Sequence, residues 1–505
     1  MRRLWGLALG AAVLFGLAMP AEAQKRANTV RFGYDQVPEN VDPYYNSVRI
    51  GVILGQQVWD TLIYRDPKTN EYRGQLATAW RWIDERTLEL DLRQGVKFHN
   101  GEEFDADDVV FTLNYVSDPA NKSVTQQNVS WIQRVEKIDK YKVRIVTRRP
   151  FPAAIEYLAG PIVIHPNDYY AQVGPRGMNE RPIGSGPYRV VEHQLGKQIT
   201  LRRNPDYFRD SPKPQPTIET IVVRFIPDRQ TQVAEMLAGG LDFIMNIAPD
   251  QAAQMRAVPT LQIVSGETMR IAFLQMATSE QSPTPALRDV RVRRAINHAI
   301  DRQTMATQLV GPGSRVLNAI CFRTQFGCDD SGATQYPYDP AKARQLLAEA
   351  GFPNGFELDL HSYRERNQAE AMINYLRAVG IRATLRFGQY ATFREQNRAN
   401  RASLAHQTWG SFSVNDTSAS TSVFYKGVDD DVTRDPELIS LLSRADTVTD
   451  PDQRKAAYRA ALARISEQAY SVPLYSLVTF YATAKDLEFT PYPDELPRFW
   501  EMRWK

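Results

Sequence analysis

Cysteine and histidine are scarce in this sequence of 505 residues, which contains two cysteines and six histidines. A zinc site usually takes four ligands, drawn mainly from these residue types, and the six histidines are scattered along the chain. We therefore expect no metal centre and no cofactor. Cys321 and Cys328 are separated by six residues in a loop-like stretch. In an oxidising compartment such a pair predicts one local disulfide.

An excess of charge of one sign is also missing. The chain has 61 Lys and Arg residues against 58 Asp and Glu residues, which gives a formal net charge of +3. Proteins that bind nucleic acids or anionic membranes through long-range attraction usually have a larger imbalance. Neither kind of partner is therefore indicated.

Long hydrophobic runs are absent after Gln24, so the rest of the chain predicts a soluble globular protein. At the N-terminus, Arg2 and Arg3 precede an apolar run over residues 4–19, which ends at the small-x-small sequence Ala21-Glu22-Ala23. This pattern is typical of a secretory signal peptide with cleavage after Ala23. A membrane anchor is the alternative, but the run is shorter than the roughly 20 residues that span a bilayer.

The length of the mature chain predicts more than one domain. Removal of residues 1–23 leaves about 480 residues, whereas a single hydrophobic core stops growing at roughly 250–300 residues. We expect at least two domains.

The first half of the chain predicts a mixture of strands and helices. Residues 29–32 form a strand pattern, an irregular loop follows to residue 47, and a helix pattern begins near Val52. An alternating strand over residues 88–92 precedes a helix with Asp105 at its N-cap. Further on, residues 188–193 and 198–202 predict a hairpin, and residues 221–225 predict a core strand.

The second half alternates between helices and strands. A helix begins at Pro340 with Asp339 as its cap, and further helices are predicted over residues 368–379 and 393–400. Strand patterns lie between them, and the last of these ends at Trp409. Such alternation favours right-handed crossovers and a largely parallel sheet.

That arrangement predicts where a ligand binds. In open α/β sheets, ligands bind beyond the carboxyl ends of the strands. The strand that ends at Trp409 leads into the loop over residues 410–418, which offers an aromatic ring, hydroxyl groups, an amide and a carboxylate.

Seven sequence blocks together resemble the bacterial family 5 extracellular solute-binding proteins, which are the dipeptide- and oligopeptide-binding proteins of ABC importers. The blocks keep the family's order and span nearly the whole mature chain; they are residues 92–101 (LRQGVKFHNG), 106–109 (ADDV), 184–188 (GSGPY), 203–208 (RNPDYF), 289–295 (DVRVRRA), 299–302 (AIDR) and 338–340 (YDP).

The resemblance implies an α/β, two-lobed periplasmic binding protein fold of type II, similar to the large cluster C proteins, with an extra α+β subdomain in lobe I. The lobes are expected to close over the ligand like a hinge. The expected divisions are a signal peptide at 1–23, lobe I at 24–63 and 181–280, the extra subdomain at 64–180, lobe II at 281–480 and a return to lobe I at 481–505.

The resemblance also implies a function. The chain is expected to be the periplasmic, monomeric substrate-binding component of an ABC importer, which captures a short peptide or peptide-like solute and delivers it to the permease in the inner membrane.

Family members that bind peptides place an Asp against the free amine of the ligand, a few residues after a Trp. Here the Trp is Trp409, the first acidic position falls on Ser413, and Asp416 matches the second. A buried ammonium without a carboxylate partner loses several kcal/mol of solvation. Either Asp416 supplies the charge in a shifted register, or the ligand has no free amine.

Further ligand contacts are expected from three segments. The loop after the strand at Trp409 is expected to contribute Ser411 and Asn415. A strand end is expected to contribute two cations for a ligand carboxylate, Arg364 and Arg366. A lobe I loop is expected to contribute Tyr44, Tyr45, Asn46 and Ser47. For each of these residues, a purely structural role is the alternative interpretation.

The sequence bears on two other classes of function. A hydrolase is disfavoured because the Gly184-Ser185-Gly186 turn is not a G-x-S-x-G motif and no H-E-x-x-H motif occurs. The same fold could instead bind an opine, a modified amino acid, an oligosaccharide or a nickel chelate, although so few histidines give the chelate little support.

Overall fold

A computed structural model describes residues 27–505. The predicted signal peptide therefore lies outside the described residues. Within residues 27–505, no helix combines the length and the apolar character that crossing a bilayer requires.

The elements of the first part of the chain are mostly strands. The strands are β1 Thr29–Tyr34, β2 Ile63–Arg65, β3 Tyr72–Gly74, β4 Ala77–Asp84, β5 Thr87–Leu92, β6 Ile132–Asp139, β7 Lys142–Thr147, β8 Tyr188–Gln194, β9 Gln198–Arg203, β10 Thr220–Phe225, β11 Phe243–Met245 and β12 Leu261–Met276. The helices are α1 Arg49–Val58, α2 Ala106–Ser117, α3 Ala154–Ala159, α4 Asn167–Glu180, α5 Arg229–Leu237 and α6 Pro249–Met255.

Helices dominate the remainder. They are α7 Val290–Ala299, α8 Arg302–Met305, α9 Pro340–Glu349, α10 Arg366–Ala378, α11 Tyr390–Arg398, α12 Ser418–Phe424, α13 Pro436–Thr447 and α14 Pro451–Glu467. The strands are β13 Glu357–Ser362, β14 Arg382–Phe387, β15 Leu404–Trp409, β16 Ser471–Ala484, β17 Leu487–Glu488 and β18 Arg503–Trp504.

Local sequence signals set several of these boundaries. Asp105 caps α2 in a reciprocal capping box with Asp108, which satisfies backbone N–H groups at the helix start. Asp339 accepts a hydrogen bond from the backbone N–H of Lys342, and Pro340 occupies the first turn of α9. Both helix starts were predicted from the sequence and are confirmed.

The central sheet contains ten strands in the order β14-β13-β15-β12-β16-β11-β1-β10-β9-β8. Strand β13 pairs in parallel with β14 and β15, and β1 pairs in parallel with β10 and β11. The other five pairings are antiparallel. The expectation of a largely parallel sheet, made for the second half of the chain, holds for β13, β14 and β15. It is wrong for the sheet as a whole, because the long antiparallel strands β12 and β16 join its two parallel parts and the antiparallel hairpin β8–β9 extends one edge.

Those long antiparallel strands, β12 and β16, connect the two lobes. The lobe I part of β12 ends at Glu267, the ladder to β16 is interrupted there, and it resumes at Ile271 in lobe II. Irregular pairing of this kind bends a strand locally. The chain thus crosses between the lobes at Glu267–Ile271 and again between Ser476 and Val478.

Separate hydrophobic cores stabilise the lobes. One continuous cluster joins the β1 and β10 region to the four-stranded sheet β4-β5-β7-β6 and to the C-terminal segment around Phe499. Two further clusters fill lobe II, one between α7, α10 and the sheet and the other around α13 and α14. The two-lobed α/β fold is as expected.

The predicted disulfide between Cys321 and Cys328 is present in lobe II. It closes a loop that contacts the segment after Trp409, because Phe326 and Asn415 share a backbone hydrogen bond of 3.0 Å. The loop and the segment therefore support one another.

Candidate functional site

A cavity of about 430 Å³ lies between the lobes. Strands β1 and β11 of lobe I end at it, and so do β13 and β15 of lobe II, which run in the opposite direction. Their carboxyl ends therefore face one another across the crossing segment of β12. This is the position that α/β topology favours for a ligand, and the volume lies within the roughly 300–1,000 Å³ typical of small-molecule sites.

Three arginines and one carboxylate form what we call the cleft cluster, which consists of Arg49, Arg270, Arg364 and Glu495. Arg49 is the first residue of α1, and its Nη2 lies 2.9 Å from Glu495 Oε2. Arg270 lies in the crossing segment of β12, with Nη2 3.1 Å from the same oxygen. Arg364 lies just beyond β13 and borders the same cavity.

Electrostatics in the cleft cluster follow from one carboxylate facing several guanidinium groups. Burial would raise the pKa of Glu495, but Arg270 and Arg49 outweigh this effect and hold the pKa below its usual value. Burial lowers the pKa of Arg49, with Glu495 opposing that shift and Arg270 adding to it. Glu495 is therefore ionised.

Aromatic rings form much of the lobe II wall. Trp409 and Phe412 meet edge to face with their centroids 5.4 Å apart, and Tyr363 lies 4.9 Å from Tyr390. Trp409 also donates a hydrogen bond from Nε1 to the Ala419 carbonyl over 2.6 Å. The indole is thus held in place while it borders the cavity, so its structural and ligand-facing roles are compatible.

The loop after β15 has an unusual backbone. Ser411, Phe412 and Ser413 have φ values of +52°, +49° and +66°. The left-handed region costs roughly 1–2 kcal/mol per residue for side chains other than glycine, and it persists where the surrounding structure enforces it. Here Arg65 donates a hydrogen bond to the Ser413 carbonyl over 2.8 Å.

Ser413 itself does not border the cavity. Its buried hydroxyl accepts a hydrogen bond from Arg49 and donates one to the Asp494 carbonyl, each 2.7 Å long. The position expected to face a ligand amine is therefore used in a contact between the lobes.

Asp416 is likewise turned away from the cavity. It makes two hydrogen-bonded contacts of 2.8 and 2.9 Å with Arg454 of α14, and both side chains are buried. Arg454 also contacts Tyr458, which donates a hydrogen bond to Asp446, the partner of Lys426. We call these five residues the paired cluster, in which two carboxylates face two cations.

The remaining candidates divide between the cavity and other places. Ser47, Arg364, Trp409 and Ser411 line the cavity. The others are held elsewhere by contacts within the protein: Tyr44 to the Val163 carbonyl, Tyr45 to the Asn121 carbonyl, Asn46 to the Val48 carbonyl, Asn415 to Glu156 and Arg366 to Glu370.

Sequence reasoning missed several residues that line the cavity. They come from distant parts of the chain: Tyr34, Asp35, Arg49, Arg270, Tyr363, Phe412 and Glu495. Arg49 lies next to the predicted loop at 44–47, and Glu495 lies in the predicted C-terminal return, so proximity was a usable signal for both. Arg270 had none, because a charged residue within a long strand usually faces solvent.

A second cavity, of about 590 Å³, lies beside the first, between the four-stranded sheet region and helices α12 and α13. It shares Trp409, Ser411 and Phe412 with the central cavity. These three residues therefore separate two chambers.

Comparisons with known proteins agree with this architecture. Residues 71–431 match the family model described as bacterial extracellular solute-binding proteins, family 5, middle. The chain is 26% identical to heme-binding protein A of Haemophilus influenzae over 84% of this chain and 82% of that protein. It is 25% identical to di/tripeptide-binding protein 2 of Pseudomonas aeruginosa over 94% of each chain.

Solved structures are similar as well. The structure of the periplasmic binding protein AgaA from A. tumefaciens R10, in complex with agropinic acid, has a TM-score of 0.79 and 25% identity, and the match covers 94% of this chain and 99% of that one. With a two-lobed fold, a cavity at the facing strand ends and a family match over most of its length, this chain belongs to the bacterial extracellular solute-binding proteins of family 5.

Proposed function

We propose that this protein captures a short peptide or peptide-like solute between its lobes and delivers it to the permease of an ABC importer. The observation that carries the proposal is the cavity of about 430 Å³, with walls from both lobes at the facing carboxyl ends of four strands. A ligand held there contacts both lobes and therefore stabilises their closure.

Four candidates from the sequence belong to the proposed ligand site, because they border this cavity: Ser47, Arg364, Trp409 and Ser411. Arg49, Arg270, Tyr363 and Glu495 join them. Mixed aromatic and charged walls suit a compact solute with apolar parts and ionised ends.

We also propose that the protein performs no reaction on its ligand. The described residues around the cavity provide guanidinium, carboxylate and hydroxyl groups but no histidine or cysteine. A hydroxyl nucleophile needs an adjacent base, and the carboxylates Asp35 and Glu495 are both paired with arginine.

The lobes move, in this proposal, about the segments where β12 and β16 cross. The expected boundaries of lobe II at 281 and 480 therefore move, in this proposal, to the crossings at Glu267–Ile271 and Ser476–Val478. The subdomain at 64–180 and the C-terminal return, expected at 481–505, belong to lobe I. The protein acts as a periplasmic monomer, and the permease recognises the closed pair of lobes.

A second ligand class is proposed for the same cavity. An opine or a modified amino acid fits the cationic cavity, and the AgaA complex with agropinic acid is a related protein with such a ligand. Both classes present carboxylates on a small scaffold.

Calorimetric titration with di- to pentapeptides, opines and short oligosaccharides tests the proposal. We expect one class to saturate at one ligand per chain. The Trp409→Ala variant should weaken that binding about tenfold, which corresponds to roughly 1.4 kcal/mol. Trp82→Ala is the matched control, since Trp82 lies exposed on β4. Equal affinities in both variants, or no binding by any compound, would refute the proposed site.

A further inference from the structure

The charged groups that border the central cavity are unbalanced. In the described part of the chain, residues 27–505, four guanidinium groups face it, from Arg49, Arg229, Arg270 and Arg364, and two carboxylates do, from Asp35 and Glu495. The cavity therefore has a formal charge of +2. Arg229 and Asp35 form a closed pair at 2.8 Å, so the excess belongs to the cleft cluster.

Within the cleft cluster, Arg49 and Arg270 lie side by side against Gly410. A Cβ atom on Gly410 would lie 2.3 Å from Arg49 Nη2 and 2.9 Å from Arg270 Nη2. Among residues 27–505, both guanidinium groups share Glu495 as their only carboxylate partner. Their side chains are only 10% and 14% exposed, so water screens the remaining charge poorly.

Arg364 has a looser partner. Its nearest carboxylate oxygen belongs to Glu365, at 3.7 Å, which is too long for a hydrogen bond. Arg364 and Arg270 also both border a smaller adjoining cavity of about 150 Å³. A guanidinium group with free donors next to a cavity is suited to a planar carboxylate.

The backbone at the start of α1 also favours an anion in this cavity. Ser47, Val48 and Arg49 border the cavity, and they form the start of α1. The N-cap residue, Val48, makes no side-chain capping hydrogen bond. A helix N-terminus favours anions because its first N–H groups lack partners and its dipole is positive there.

A ligand ammonium has no comparable partner. Of the two carboxylates that border the cavity, Asp35 is paired with Arg229 and Glu495 with two arginines. Asp416, the acidic side chain closest in sequence to the expected amine site, is bound to Arg454. An ammonium placed in the cavity would meet the formal charge of +2. Within residues 27–505, the one acceptor that these two carboxylates leave without a hydrogen bond is Asp35 Oδ1, and its carboxylate is already paired with Arg229 through Oδ2.

We propose that the ligand is an anion, a carboxylate compound whose amine is absent, blocked or left in solvent, and that Arg364 together with Arg270 and Arg49 holds its carboxylate. This inference rests on the proposed solute capture and specifies the chemical class of the solute. It resolves the alternative left open by Ser413, in favour of a ligand without a recognised free amine.

One set of compounds separates the possibilities. Di- and tripeptides with uncharged side chains are prepared in three forms: unmodified, N-acetylated with a free carboxylate, and C-amidated with a free amine. Opine-type amino diacids are added as free acids and as esters. Affinities are measured by calorimetry at constant ionic strength.

Acetylation should change the affinity less than about threefold, whereas amidation or esterification should weaken it at least about tenfold. Tighter binding of the amidated than of the acetylated form would overturn the inference and leave solute capture intact. If no compound of any charge binds, solute capture by this cavity fails, and the inference fails with it.

Variants supply a second readout. Arg364→Gln should lose at least about tenfold in affinity for the free-acid form without a change in melting temperature, and Arg364→Lys should recover part of that loss. Arg366→Gln is the matched control, because Arg366 lies two residues away, pairs with Glu370 and does not border the cavity. Equal behaviour of Arg364→Gln and Arg366→Gln would contradict the assignment.

Discussion

Two ionic clusters contact the loop at 410–418, one through Asp416 and the other through Ser413, and they differ in their balance of charge. In the paired cluster, Asp416 and Asp446 face Arg454 and Lys426, so each charge is compensated within the protein. In the cleft cluster, Glu495 alone faces Arg49 and Arg270. The comparison indicates that compensated charges stabilise the fold, whereas uncompensated charges next to a cavity are available to a ligand.

The largest expected effect comes from breaking the paired cluster. Replacing Asp416 with Asn leaves Arg454 buried without its carboxylate, and the loss of one partner of a buried pair costs roughly 3–5 kcal/mol. Urea denaturation should show this decrease in the free energy of unfolding. In the double variant with Arg454→Met, much of the stability should return, and unchanged stability in Asp416→Asn would contradict the structural role.

The disulfide supports the same region, because its loop contacts the segment at 414–417. The double substitution Cys321→Ser and Cys328→Ser should lower the free energy of unfolding by about 2.5 kcal/mol, as expected for so short a closed loop. Calorimetric affinity should stay within error, since neither cysteine borders the central cavity. A large loss of affinity would contradict this expectation and show that the disulfide loop takes part in ligand binding.

Glu495→Gln removes the one carboxylate of the cleft cluster. Two neighbouring guanidinium groups then lose their shared negative charge, because the amide keeps only one neutral acceptor oxygen. We expect the ligand-free protein to lose about 2 kcal/mol of stability. A bound anion should restore the missing negative charge. Thermal unfolding should therefore show a larger ligand-induced increase in melting temperature in the variant than in the parent protein; a smaller increase would contradict the account.

The smallest expected effect tests how closely the cleft cluster packs against Gly410. Gly410→Ala places a methyl group where Arg49 and Arg270 now lie, so both guanidinium groups must move. We expect a loss of affinity of about tenfold, roughly 1.4 kcal/mol. Gly388→Ala is the control, since a Cβ atom there meets no atom within 4 Å. An equal effect in the two variants would show that the close approach at Gly410 is unimportant.

Much of the fold could be predicted because its signals are local. Asp105 and Asp339 mark helix starts through short-range hydrogen bonds, and alternation along residues 356–360 reflects the burial of Leu358 and Leu360 on β13. The mixed direction of the sheet could not be predicted in this way. It depends on the pairing of β12 with β16, which are about 200 residues apart.

The residues of the candidate site also divide into those with local sequence signals and those that depend on long-range contacts. Trp409 and Ser411 were found because the strand end at residue 409 is a local feature. Asp416 was a candidate ligand contact because its partner, Arg454, lies 38 residues further along the chain and cannot be paired with it by pattern alone. Arg270 and Glu495 are 225 residues apart, and only the folded chain brings them together.

Small-angle X-ray scattering with the tightest carboxylate ligand tests the central claim most directly, because closure of two lobes changes the overall dimensions of the molecule. The account predicts a smaller radius of gyration at saturation than in the ligand-free protein, with the ligand recovered chemically unchanged. An identical scattering profile at a concentration where calorimetry shows full occupancy would contradict it.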